Sequence, residues 1–151
     1  MVNKLMIVCS SGGHFYQMYL LKEFWGKFDR VWVTFPSNDT EELLKEEKIY
    51  WAYHPTNRSL LNMVKNIFLA RKILTQERPS VLVSTGAGVS VPFIYVARLM
   101  NIKTIYIESL TRITSTSLSG RMVSPVVNRL FVQWPELAKK TVKAKFEGQV
   151  I

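Results

Sequence analysis

"IVCSSGGHFYQM", Ile7 to Met18, decides the fold. An apolar run stops at two serines and two glycines, and His14 then opens a helical pattern. A short strand with no polar face belongs in a parallel sheet covered on both sides. Small residues between strand and helix make a turn where free backbone N–H groups and the positive end of the helix dipole converge, which suits an anion. The spacing is neither the dinucleotide fingerprint G-x-G-x-x-G nor a Walker A loop. Ser11, Gly12 and Gly13 are therefore read as an anion-binding turn, with simple tight-turn sterics as the alternative. At a helix N-terminus an imidazole tends to stay neutral, so His14 reads as a general base or as a hydrogen-bonding cap.

Working outward, strands and helices alternate. Strands are predicted at Lys4–Cys9, Arg30–Phe35, Ile49–His54, Ser80–Thr85, Lys103–Ser109 and Arg129–Trp134. Helices are predicted from His14 to about Trp25, after the Ser/Asn/Asp cluster at 37–39, and across "NRSLLNMVKNIFLARKILTQERP", which Pro79 stops. Pro92 stands near the start of a further helix, where a missing N–H costs nothing. This order predicts a doubly wound, Rossmann-like α/β fold with a parallel sheet, a single domain over residues 1–151. Ligands bind such sheets at strand C-termini, where the strand order switches. A second glycine turn, "TGAG" with Gly86 and Gly88, and the charged end of the apolar strand "TIYIE" at Glu108 are expected at the same edge as Gly12–Gly13. Glu108 reads as a cleft carboxylate or as a solvent-facing cap.

Composition narrows the function. Residues 1–47 carry five basic and seven acidic side chains, whereas residues 48–151 carry fifteen and four. That asymmetry suits an anionic partner or a solvated basic surface. One cysteine excludes a disulfide framework, and two histidines are too few for a metal centre. Tryptophans beside strands read as core, and without a recognised motif no nucleic acid is expected. No apolar run approaches the roughly twenty residues of a spanning helix. On the long helix, Leu60, Met63, Val64, Ile67, Ala70 and Leu74 read as the core face. Leu69 and Ile73 then fall among Lys65 and Lys72 on a basic face, expected to touch a membrane or to be covered by a neighbour.

Together, "SSGGH", "STGAGVSVPFIYVARLMNIKTIYIES" and "RLFVQWPELAKK" with "FEGQVI" resemble the membrane-associated acceptor subunits of two-part glycosyltransferases. These include the eukaryotic subunit of the dolichol-linked N-acetylglucosamine transferase and the bacterial PssD and CpsF type of exopolysaccharide and capsule assembly. The N-terminal half of MurG is similar. The resemblance implies the N-terminal, acceptor-binding half of a GT-B glycosyltransferase, without a cofactor, working with a separate donor-binding subunit. It implies transfer from a UDP-sugar to a polyprenyl-diphosphate-linked sugar, with the diphosphate at Ser11, Gly12, Gly13, Gly86 and Gly88. His14 would be the base and Glu108 would orient the ring or the acceptor, or the two would exchange roles. Phe146, Val150 and Ile151 would dock the partner. Eukaryotic subunits open on a transmembrane anchor, whereas Met1–Lys4 here runs into the first strand. A peripheral protein on the cytoplasmic membrane face is expected. The competing reading is a phosphocarrier using Cys9 at the turn. A scaffold that contributes no catalytic residue is a further alternative.

Overall fold

Strand β1, Lys4–Cys9, divides the core by simple alternation. Leu5, Ile7 and Cys9 enter one apolar cluster, and Met6 and Val8 enter the other. The computed structural model describes residues 3–151. Around β1 it places β2 (Asp29–Thr34), β3 (Ile49–Trp51), β4 (Val81–Gly86), β5 (Lys103–Ile107), β6 (Arg129–Val132) and β7 (Ala144–Phe146). The strands form one sheet in the order β3-β2-β1-β4-β5-β6-β7, and each adjacent pair is parallel. The predicted doubly wound architecture is the one observed.

The first cluster holds Phe15 and Met18 of α1 (Gly13–Leu20) and Trp25 of α2 (Lys22–Trp25). The second holds Ala70, Ile73 and Leu74 of α4 (Leu60–Glu77), Phe93 and Ala97 of α5 (Ser90–Leu99) and Val123 of α6 (Leu118–Val123). Helix α3 (Asn38–Leu43) opens on a capping box between Ser37 and Thr40. Helix α7 (Pro135–Lys140) starts on proline and ends on two lysines, both favoured by the free groups at helix ends.

Several boundaries differ from expectation for identifiable reasons. The helix expected from His14 to Trp25 breaks at Leu21. There the Met18 carbonyl accepts from both the Leu21 N–H (3.1 Å) and the Trp25 indole (2.8 Å), which tightens the last turn. Strand β3 stops at Trp51 because the buried Asn66 side chain takes over Tyr53. Asn66 accepts from its N–H and donates to its carbonyl, both at 2.9 Å. Asn66 and Ile73 therefore face the core, and Leu69 packs against it. The core side of α4 lies about a quarter of a turn from where periodicity put it, which corrects the expectation that Ile73 lies on a membrane-facing surface. The apolar residues left outside are Leu60, Leu61, Val64, Ile67 and Phe68, with Lys65, Arg71 and Lys72 exposed beside them. Leu61 and Phe68 are 66% and 70% exposed. Among the described residues, no helix is long and apolar enough to cross a membrane.

The C-terminal end of α4 is fixed by Glu77. Its buried carboxylate accepts from Lys4 Nζ (3.0 Å), Lys48 Nζ (2.6 Å) and the Tyr50 hydroxyl. Burial alone would raise this carboxyl, but hydrogen bonds from Lys48, Tyr50 and Lys4 prevail and hold it at about 2.

Candidate functional site

The chain leaves β1 toward β2 and β3, then returns with β4 on the other side of β1. The crevice between these diverging connections is where a doubly wound sheet receives ligands. Both glycine turns follow these two strands, as expected, and α1 and α5 start from them without a side-chain cap hydrogen bond.

His14 bridges the two turns. Its Nδ1 lies 2.8 Å from the Thr85 carbonyl, and the Thr85 hydroxyl donates to the His14 carbonyl at 2.6 Å. A carbonyl only accepts, so in the neutral ring Nδ1 carries the proton and Nε2 keeps the lone pair. Gly86 makes this approach possible: it has φ +117°, and a Cβ there would stand 3.0 Å from His14 Nδ1 and 2.9 Å from the Tyr106 hydroxyl. The same crowding leaves Tyr106 fully buried, and burial, with the nearby Glu108 charge, pushes its phenol well above the usual range.

A cavity of about 380 Å³ opens beside the histidine. His14, Ala87 and Gly88 form one wall, and Thr56, Asn57 and Arg58 of the β3–α4 loop form another. Ser109, Thr111, Arg112 and Ser119 close the polar side, while Met63, Val91, Leu118 and Met122 give an apolar side. Neither Arg58 nor Arg112 has an ion-pair partner among the described residues. Sequence reasoning missed both arginines. Their signal was their place, in loops following the C-terminal ends of β3 and β5, within the basic stretch after residue 48. Among the described residues, no group of His, Cys, Asp and Glu could hold a metal ion.

The expected site residues separate. Gly88 lines the cavity with His14, and Gly86 lies buried beneath the ring. Gly12 and Gly13 are exposed at the start of α1, with Gly12 at φ +78°, and with Ser11 they stand outside the cavity lining. Glu108 is fully buried and serves its own loop. Its carboxylate accepts from the Ser109 N–H (3.0 Å), the Ser117 N–H (2.8 Å) and the Ser117 hydroxyl (3.0 Å). The expectation that it orients the histidine ring gives way, because the Thr85 carbonyl does so. Glu108 instead shapes the loop that carries Ser109, Thr111 and Arg112. Cys9 is fully buried, and desolvation pushes its thiol up to about 12, the opposite of a phosphocarrier nucleophile. Phe146 ends the edge strand β7, Val150 is half-buried and Ile151 is exposed.

The sequence matches the family described as "Oligosaccharide biosynthesis protein Alg14 like" over residues 51–150. It is 30% identical over 184 residues to the UDP-N-acetylglucosamine transferase subunit ALG14 of Debaryomyces hansenii, covering 99% of this chain and 77% of that protein. The corresponding subunit of Yarrowia lipolytica is 31% identical over 179 residues, covering 98% and 81%. Among solved structures, MurG of Acinetobacter baumannii superposes with a TM-score of 0.78 at 18% identity. That superposition takes in 95% of this chain and 45% of MurG, so the shared fold occupies less than half of the larger enzyme.

Proposed function

Because this chain belongs to the Alg14-like family of oligosaccharide biosynthesis proteins, we propose that it is the acceptor-side subunit of a two-part inverting glycosyltransferase. The pair transfers a sugar from a UDP-sugar to a polyprenyl-diphosphate-linked sugar, for lipid-linked oligosaccharide, capsule or exopolysaccharide assembly. UDP-N-acetylglucosamine, in the names of the curated relatives, is the first donor to try. These relatives are named as transferase subunits, which supports a separate partner, and that partner binds the donor.

The observation that carries this reading is the cavity at the strand-order switch, with a tautomer-fixed histidine in one wall and two unpaired arginines in others. The lipid diphosphate lies between Arg58, Arg112 and the N-terminus of α5 at Gly88, with the α1 turn at Ser11–Gly13 next to it. The polyprenyl chain leaves over Met63, Leu118 and Met122 toward the exposed apolar stripe of α4. That stripe, with Lys65 and Lys72 beside it, rests on the cytoplasmic face of an anionic membrane. The acceptor hydroxyl gives its proton to His14 Nε2 as its oxygen bonds to the anomeric carbon. The bond from that carbon to the UDP oxygen breaks with inversion, and UDP leaves with the electron pair. Phe146, Val150 and Ile151 meet the donor subunit.

The test is reconstitution with the donor-binding protein that co-purifies from native membranes, using UDP-sugar and a short polyprenyl-diphosphate-sugar. His14→Asn should retain the complex and lose about 100-fold or more in kcat, the scale of a general base. An undiminished rate in that variant would make this subunit a scaffold.

A further inference from the structure

Gln133, one residue beyond β6, is 1% exposed and joins parts of the molecule that are distant in sequence. Its Nε2 donates to Gln17 Oε1 (2.9 Å) and to the Glu108 main-chain carbonyl (3.0 Å). Its Oε1 accepts the Val150 N–H at 2.7 Å. The amide orientation is set by its partners, since a main-chain carbonyl needs a donor and a main-chain N–H needs an acceptor. Gln17 lies one turn beyond His14 on α1 and reaches the same loop, accepting from the Leu110 N–H (3.3 Å) and donating to Ser109 Oγ (3.4 Å). The Trp134 indole donates to the Leu110 carbonyl at 2.7 Å. The loop whose front carries Ser109, Thr111 and Arg112 into the cavity is thus gripped from behind. The same glutamine that grips it also holds residues 147–150 over an apolar groove floored by Ile107 and Phe131.

From this network we infer that Gln133 is a positioning residue that couples the seating of the C-terminal segment to the geometry of the acceptor cavity. The inference rests on the proposed function in two respects, namely that this segment meets the donor subunit and that the cavity holds the acceptor. Docking there then does more than deliver the donor. It fixes Val150, and through Gln133 it holds the Ser109–Arg112 loop and the helix bearing His14 at the spacing the acceptor needs. Burial raises the stakes, because an amide removed from this site leaves the Glu108 carbonyl and the Val150 N–H without partners.

The experiment uses Gln133→Leu, which keeps the bulk without the amide, and Val150→Pro, which deletes the donor N–H and fixes φ at that position. Both full-length variants are assayed with saturating donor subunit, UDP-N-acetylglucosamine and a short polyprenyl-diphosphate-N-acetylglucosamine. Expected is a fall of about 10- to 100-fold in kcat/KM for the acceptor, the cost of a displaced positioning element, with the donor KM unchanged. Val150→Pro should add nothing in the Gln133→Leu background, because both cut one path. Amide exchange on the chain without its partner gives a second readout: each variant should accelerate exchange at Leu110. Unchanged acceptor kinetics in a folded Gln133→Leu, multiplying losses in the double variant, or a Leu110 amide indifferent to Val150→Pro would each overturn the coupling. If Gln133→Leu does not fold, Val150→Pro carries both readouts alone. A wild-type pair that transfers no sugar refutes the proposed function instead, and the exchange measurement still decides the coupling.

Discussion

Replacing Gly120 by alanine sets two known effects against each other. Gly120 lies inside α6, and in an ordinary exposed helix alanine is better than glycine by about 1 kcal/mol. Here a Cβ would stand 2.2 Å from Glu108 Oε2, far inside van der Waals contact. The carboxylate has nowhere to retreat, since it is fully buried and held by Ser109 and Ser117 through bonds of 2.8–3.0 Å. Bonds to a charged acceptor contribute about 1.5–3 kcal/mol each. Losing one of them, with overpacking of about 1–3 kcal/mol, outweighs the helix gain and leaves a net loss of about 1.5–5 kcal/mol. For a chain of 151 residues, at about 2–4 °C per kcal/mol, that lowers Tm by roughly 3–20 °C. Urea and thermal unfolding followed by circular dichroism measure it directly. Acceptor turnover should fall as well at temperatures where the variant is folded, because Ser109, Thr111 and Arg112 ride on the displaced loop. A Gly120→Ala protein as stable as wild type, or more so, would refute the structural role assigned to Glu108.

Three further outcomes are expected. Gly86→Ala combines a φ of +117°, strained by about 1–3 kcal/mol for an L-residue, with a Cβ 3.0 Å from His14 Nδ1. Turnover should drop about 10- to 100-fold in protein that still folds, and wild-type turnover would argue against the placement of the histidine. Glu77, held at about 2 against an ordinary 4.5, contributes stability that is complete above pH 4.5 and disappears as pH falls through 2. That contribution is about 3 kcal/mol. Urea midpoints across that window should fall steeply for wild type and stay flatter for Glu77→Gln, and parallel curves would contradict the assignment. On α4, Leu61→Glu with Phe68→Glu should abolish sedimentation with anionic vesicles, and Lys65→Glu with Lys72→Glu should weaken it by about 1 kcal/mol per charge. Leu69→Glu faces the core and should act on stability instead.

By itself the sequence determined the architecture. Short apolar runs such as Leu5–Cys9, handing over to a helix through small or capping residues, are buried in a parallel sheet, and that places both glycine turns and His14 at one edge. Local chemistry fixes these features, so local reading finds them. The tertiary structure decided the rest. The buried side of α4 depended on Asn66, whose side chain completes the backbone of Tyr53, and no helical periodicity foresees a polar residue recruited into the core. Glu108 reads as a cleft acid until Ser109, Ser117 and Gly120 are seen around it. Arg58 and Arg112 line one cavity only because two loops far apart in sequence fold over it. Strand and helix arise from neighbours along the chain, whereas the use of a side chain depends on groups that only folding brings within a few ångströms of it.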